Sequence, residues 1–114
     1  MQWIDTHAHL DSEKFDADRE AVIRRAREAG VWPVVTVGAD LASSRAAVAL
    51  AERQAGLYAT VGVHPHEAKS VDGAVLDELR ELAQHPRVVA VGEIGLDYYY
   101  EFSPREKQRE VFEV

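Results

Sequence analysis

The sequence predicts an α/β fold with a parallel sheet, because strand patterns and helix patterns alternate four times along its 114 residues. Three of the apolar runs close on a related triplet, Thr-Val-Gly or Ala-Val-Gly, which favours a repeated strand-turn unit. Strands connected through helices pair in parallel with right-handed crossovers, and such units build either an open doubly wound sheet or a barrel. We expect the four strands at Trp3–Thr6, Pro33–Gly38, Leu57–Gly62 and Arg87–Gly92.

The first two helices follow the first two strands. A cap at Asp16 and an apolar face that ends at Ala29 predict the first helix, which stops at Gly30. An alanine-rich segment from about Leu41 to Gln54 predicts the second helix. Its many small side chains indicate close packing on the sheet.

The last two helices are marked by an apolar stripe and by a cap. A stripe with helical spacing from Val75 to Ala83 predicts the third helix. The fourth is expected to use Ser103 as its cap, Pro104 as its first residue and Glu106 as the partner in a capping box.

Composition and charge exclude several classes of protein. Without cysteine the chain has neither disulfides nor thiolate ligands for zinc, so a metal site would rest on histidine and carboxylate groups. The apolar runs are too short to cross a bilayer and the N-terminus lacks a signal-peptide pattern, which predicts a cytoplasmic protein. The net charge of −7 argues against broad attraction to nucleic acid, so such a substrate would be held locally by a metal ion and a few arginines.

The first strand ends in two histidines, His7 and His9, separated by one residue. Alternation along a strand places both imidazoles on one face, where they converge past its end. In parallel α/β proteins the catalytic groups lie beyond the carboxyl ends of the strands, and four of the five histidines fall there. The pair is a candidate metal site; a polar loop after a buried strand is the simpler alternative.

Glu93, at the end of the fourth strand, strengthens the metal hypothesis. We expect it to converge with His7 and His9, because their strands are taken to lie side by side. A carboxylate in this place could bridge two cations, and such a pair polarises phosphoryl oxygens and activates water. The flanking glycines allow close backbone approach to a ligand, although they also fit a tight loop between strand and helix.

The third strand also ends in histidines, in the segment Gly62-Val63-His64-Pro65-His66. Pro65 stiffens this loop, and the two imidazoles could be metal ligands, phosphate binders or turn residues. We favour contact with substrate. The fifth histidine, His85, lies near the end of the third helix and is expected to complement the helix dipole at the surface.

Three tyrosines follow the fourth strand, Tyr98, Tyr99 and Tyr100. Aromatic side chains can stack on a base or a sugar, since every base offers a π-face. Aromatic runs beside a sheet more often pack against it, so we expect at least one of the three to be a packing residue.

Three motifs together resemble the N-terminal signatures of the TatD-type metal-dependent deoxyribonucleases. They are Asp5-Thr6-His7-Ala8-His9-Leu10-Asp11, Gly62-Val63-His64-Pro65-His66 and Gly92-Glu93-Ile94-Gly95-Leu96-Asp97-Tyr98-Tyr99. Their order and spacing match, and the resemblance spans the whole chain. It implies a (β/α)8 TIM-barrel metallo-hydrolase that cleaves phosphodiester bonds in DNA, here with only the first four β/α units.

The same resemblance assigns roles to individual residues. It implies that His7 and His9 bind one divalent metal ion and that Glu93 bridges to a second, with magnesium, manganese or zinc as the cations. His64, His66 and Asp97 would form the substrate-binding part of the site, and Asp97 would also support the Glu93 loop. The substrate would be DNA, attacked from its ends as by an exonuclease.

Members of this family continue for another half barrel, which supplies two further histidines and an aspartate to the metals. Residues 1–114 would then be the N-terminal half of a single barrel of roughly 250 residues, inactive on DNA by itself. The alternatives are a shortened chain and a half barrel completed by a second chain. We favour a fragment, because four strands alone would expose a sheet edge and an unfilled interior.

Two other functions remain open. Related barrels that begin with His-x-His hydrolyse C–N or ester bonds, but the loop with His64 and His66 favours the phosphodiester. A non-catalytic half-barrel interaction domain belongs to a different class, and the mass of the assembly in solution would separate it from the enzymes.

Overall fold

The computed structural model describes all residues from 1 to 114, and its centre is a four-stranded parallel sheet. The strands pair in the order β1-β2-β3-β4, and every pairing is parallel. The predicted alternation of strands and helices is therefore confirmed. The strand bounds are β1 Trp3–Ala8, β2 Val31–Val37, β3 Leu57–Val61 and β4 Val88–Val91.

Four α-helices follow the four strands. The helix bounds are α1 Arg19–Glu28, α2 Leu41–Arg53, α3 Gly73–Ala83 and α4 Arg105–Glu113. Two 3-10 turns, Glu13–Phe15 and Pro65–Ser70, lie in the loops after β1 and β3. None of the helices combines the length and the apolar character that a bilayer crossing requires.

β1 continues two residues beyond its predicted end at Thr6. Ala8 is still paired with Thr36 of β2, so His7 lies within the strand. The prediction ended the strand where its side chains become polar. Strand pairing depends on backbone groups, however, and an edge strand tolerates polar side chains on its exposed face.

The predicted cap of α1 at Asp16 is wrong. Asp16 ends the 3-10 turn, and α1 begins at Arg19 after Asp18. The Ser12 side chain starts this turn by accepting a hydrogen bond from the backbone of Lys14. Asp16 instead accepts a hydrogen bond of 2.7 Å from the Arg19 guanidinium.

The predicted capping box of α4 is wrong as well. Pro104, expected as the first helical residue, occupies the cap position, and the helix has no side-chain cap. The Ser103 hydroxyl accepts a hydrogen bond from the backbone N–H of Lys69 and donates one to the carbonyl of His66. Ser103 is fully buried, so its hydroxyl joins two loops and is not available to the helix end.

The hydrophobic core lies between the sheet and the helices that cover it. Ala47 and Ala51 of α2 are fully buried there, which confirms the close packing expected of an alanine-rich helix. The edge strands differ from this pattern. Trp3 and Ile4 on β1, and Val89 and Val91 on β4, are exposed.

Candidate metal centre

β1 delivers His7 and His9 to the carboxyl end of the sheet. Their ring centroids are 5.2 Å apart, with the rings nearly perpendicular at 77°. Both side chains are exposed. Two imidazoles on one side of a strand end can therefore approach a common ion without further rearrangement of the backbone.

A backbone carbonyl orients the His9 ring. His9 Nδ1 lies 3.1 Å from the carbonyl oxygen of Val37, at the end of β2. A carbonyl can only accept, so the neutral ring carries its proton on Nδ1 and leaves the Nε2 lone pair free. A histidine whose second nitrogen donates in this way is the usual form of a metal ligand in proteins.

Glu93 reaches the histidines by a route that the sequence did not indicate. The expectation that its strand lies beside β1 is wrong, because β1 and β4 are the two edges of this sheet. After β4 the chain turns over the end of β3, and the N–H of Glu93 donates a 2.7 Å hydrogen bond to the carbonyl of Gly38. The carboxylate is thereby carried across the sheet toward β1.

Gly62 makes this crossing possible. It follows β3, directly under the backbone of Gly92, and a Cβ at Gly62 would lie 2.8 Å from the Gly92 carbonyl carbon. Real Cβ atoms do not approach other atoms so closely, so only glycine permits the two segments to meet. The Ser44 hydroxyl fixes Gly62 from the other side, bonding both its N–H and its carbonyl.

The three side chains converge. His7, His9 and Glu93 each offer a ligand atom, and these atoms lie within 4.8 Å of one another. His7 Nε2 is 3.7 Å from a carboxylate oxygen of Glu93. Two imidazole nitrogens and a carboxylate oxygen are a donor set that suits zinc or manganese, and magnesium less well. The residues therefore fit a divalent cation.

His64 adjoins this triad from the loop after β3. Its Nε2 lies 3.7 Å from the other carboxylate oxygen of Glu93. Its Nδ1 accepts a 3.1 Å hydrogen bond from the backbone N–H of His66. The neutral ring therefore carries its proton on Nε2, and His64 presents an N–H donor beside the carboxylate.

His66 faces away from the triad, toward Asp97. Its Nε2 is 2.6 Å from a carboxylate oxygen of Asp97, whose second oxygen accepts the backbone N–H groups of Tyr99 and Tyr100. The hydrogen bond from His66, followed by the one from Tyr100, holds the pKa of Asp97 below its ordinary value of 3.8. Asp97 thus stays ionised and ties His66 to the loop that follows Glu93.

Gln108 of α4 is a supporting residue that sequence reasoning missed. Its amide accepts from the Asp97 N–H at 2.8 Å and donates to the carbonyls of Asp97 and Ser103, each at 2.9 Å. The side chain is only 1% exposed. Its position in the apolar stripe with Val111 and Phe112, at spacings of three and four residues, was the available signal, because a buried amide needs polar partners.

His85 and Tyr98 have structural roles. His85 Nε2 lies 2.9 Å from the carboxylate of Glu52 on α2, so this half-buried ring links α2 to the turn after α3. Tyr98 is half-buried with the Arg105 guanidinium 4.7 Å from its ring centroid. Both residues lie outside the metal triad.

The Asp97–His66 contact should make stability depend on pH in the acid range. Because the folded pKa of Asp97 lies below its unfolded value, its contribution is complete above about pH 4 and is lost as the pH falls through the folded pKa. The unfolding free energies of the Asp97→Asn variant and of the unchanged chain should therefore differ most near neutral pH. Urea denaturation of both proteins from pH 7 to pH 3 checks this, and a difference that stays constant down to pH 3 would contradict it.

Comparison with known proteins identifies relatives of this chain. The chain is 43% identical over 109 residues to the uncharacterized metal-dependent hydrolase YabD of Bacillus subtilis, covering 96% of this chain and 43% of the relative. It is 43% identical over 110 residues to the 3'-5' ssDNA/RNA exonuclease TatD of Musicola paradisiaca, covering 96% of this chain and 42% of that protein. The chain thus spans less than half the length of these relatives.

A solved structure shares the fold. The crystal structure of YjjV, a TatD homologue from Escherichia coli K12, superimposes with a TM-score of 0.87 at 34% sequence identity, covering 97% of this chain and 44% of that one. The parallel α/β arrangement therefore corresponds to four β/α units of a TIM-barrel hydrolase. Residues 4–114 match the family described as TatD related DNase. This chain, with its converging His7, His9 and Glu93, belongs to the TatD-related DNase family.

Proposed function

We propose that this chain carries part of the active site of a metal-dependent hydrolase that cleaves phosphodiester bonds in DNA, working from the ends of the strand. The observation that carries the proposal is the convergence of the ligand atoms of His7, His9 and Glu93 within 4.8 Å. We assign one divalent cation to this triad and a bridging role to Glu93 toward a second cation. Magnesium, manganese and zinc are the candidate ions.

The residues around the triad suit hydrolysis at phosphorus. Divalent cations held there would polarise the phosphoryl oxygens and favour deprotonation of an attacking water. In the overall reaction, water adds to phosphorus and one P–O ester bond breaks, giving a phosphate and a free hydroxyl. His64 can donate its Nε2 proton in a hydrogen bond to a phosphate oxygen, and the ring of His66, held by Asp97, lies beside His64.

The named relatives support the substrate class. The Musicola paradisiaca protein is named for exonuclease action on single-stranded DNA and RNA, and the Bacillus subtilis protein for metal-dependent hydrolysis. We further propose that residues 1–114 form the N-terminal half of one barrel. The exposed apolar side chains of the edge strands β1 and β4 support this, since a closed barrel covers both edges.

A nuclease assay tests the proposal. End-labelled single-stranded DNA is incubated with magnesium, manganese or zinc, and with either residues 1–114 or the protein at its natural length. We expect stepwise shortening by the longer protein, and no turnover by residues 1–114 alone, because three further ligands are assigned outside them. Turnover by these residues alone would show that the triad suffices. Failure of the longer protein to cleave any single strand with any of the three ions would contradict the proposed function.

A further inference from the structure

Three exposed aromatic side chains lie together on the loop between β4 and α4. Tyr99 is 85% exposed, Tyr100 59% and Phe102 55%, and we call these three residues the aromatic shelf. Exposed aromatic rings leave apolar area in water, so a cluster of them marks a surface that gains from being covered. None of the contacts of the metal triad accounts for this cluster.

The shelf is held in place before any ligand arrives. The rings of Tyr100 and Phe102 are nearly parallel, with planes 9° apart and centroids 5.5 Å apart, and Tyr99 meets Tyr100 edge-on at 4.7 Å. Asp97 fixes the backbone beneath them by accepting the N–H groups of Tyr99 and Tyr100. A preformed surface loses little conformational entropy on binding, which favours a ligand that only needs a flat apolar face.

The shelf is continuous with the metal triad. His64 touches Glu93, its ring lies 4.3 Å from that of His66, and the His66 ring lies edge-on against Phe102 at 4.8 Å. Two imidazoles thus connect the carboxylate to the shelf. A nucleotide whose phosphate lies at the triad would therefore have its own base, or that of its neighbour, within reach of Tyr100 and Phe102.

Charge favours stacking as the source of affinity. The net charge of the chain is −7, and Arg105, at the start of α4, is paired with Glu101. Phosphate attraction is therefore weak away from the metal ions. Stacking on an aromatic ring contributes about 1–3 kcal/mol per base and is almost independent of base identity.

We propose that the aromatic shelf binds the unpaired bases of a single-stranded nucleic acid beside the metal triad, an inference that rests on the proposed function. A duplex hides the faces of its bases, so the shelf selects single strands. Because every base has a flat face, the selection is by strandedness and not by sequence. The shelf therefore sets which polymer the site accepts, while the triad carries the chemistry.

Nuclear magnetic resonance can test this on the chain itself. The nitrogen-15-labelled protein is titrated, in EDTA, with a thymidine tetranucleotide and with an abasic tetramer that carries the same phosphates. We expect the thymidine oligomer to shift the amide signals of Tyr99, Tyr100 and Phe102, and the abasic one to leave them in place. Equal shifts with both oligomers, or none with thymidine at millimolar concentration, would overturn the proposal.

Variants separate the shelf from a general effect on folding. The double change Tyr100→Leu and Phe102→Leu should weaken thymidine binding about 5- to 100-fold, whereas Tyr100→Phe should preserve it. Phe112→Leu is the matched control, because Phe112 is 49% exposed on α4, outside the shelf. Unchanged Asp97 and Gln108 amide signals would establish that the loop is intact. Undiminished binding by the double variant would overturn the proposal.

The EDTA condition keeps this test independent of the metal assignment. If the triad binds no metal, selective binding of the thymidine oligomer would still support the shelf. If the shelf is inert, metal binding by this chain and hydrolysis by the protein at its natural length would persist. A loss of both would be a failure of the proposed function and not of the shelf alone.

Discussion

Replacing Glu93 by glutamine should lower hydrolysis of single-stranded DNA by at least about 100-fold in the protein at its natural length. Glutamine keeps the size and hydrogen bonding of the side chain but removes the charge that we assign to a bridge between two cations. Changing groups that merely support a metal ligand already costs 10- to 100-fold, so loss of the ligand itself should cost more. Steady-state rates at saturating manganese measure the effect.

Folding should be almost unaffected, because the Glu93 side chain lies against the imidazoles of His7 and His64 and its structural hydrogen bond uses the backbone. Glu67→Gln is the matched control. Glu67 is exposed in the neighbouring loop after β3, and its substitution should leave the rate unchanged. If the Glu93→Gln protein hydrolysed DNA within about tenfold of the rate of the unchanged protein, the assignment of Glu93 to the metal site would be wrong.

Gly62→Ala should damage both stability and metal binding. The added methyl group would lie 2.8 Å from the Gly92 carbonyl carbon and 3.0 Å from its oxygen, and neither backbone atom can move without shifting the end of β4. Overpacking of this kind costs about 1–3 kcal/mol. Because Gly92 precedes Glu93, the same shift should move the carboxylate away from His7 and His9.

Gly73→Ala is the control for this substitution. A Cβ at Gly73, the first residue of α3, would meet no atom within 4 Å. The unfolding free energy of the Gly73→Ala variant should stay the same or rise by up to about 1 kcal/mol, because alanine restricts the conformations of the unfolded chain. Denaturant unfolding and manganese titration of both variants provide the measurements. Equal stability and equal manganese affinity in the two variants would show that the crossing over β3 is not tightly packed.

The positions of the strands could be predicted more completely than the arrangement of the site. The β-branched runs ending at Gly38 and Gly62 predict the carboxyl ends of β2 and β3 to within one residue, because buried parallel strands carry continuous apolar sequence. The His7 and His9 pair follows directly from strand alternation. The path of Glu93 could not be predicted, since it depends on one backbone hydrogen bond to Gly38 and on the missing side chain of Gly62.

The supporting residues were harder to predict because their partners are distant in sequence. Ser103 fits a helix cap by every local rule, yet its hydroxyl bonds the backbone of Lys69 and His66, more than 30 residues away. In the sequence, the only unusual feature of Gln108 is that it is a polar residue within an apolar stripe. Local patterns identify which residues are unusual, whereas tertiary contacts decide what they do.

Anomalous X-ray scattering at the zinc absorption edge, from crystals of this chain grown with zinc, would reveal directly whether His7, His9 and Glu93 bind a metal ion. We predict a peak about 2.0–2.2 Å from ring nitrogens of both His7 and His9 and from a carboxylate oxygen of Glu93. Zinc peaks found only elsewhere, for instance between His66 and Asp97, with none at the triad under saturating zinc, would contradict it.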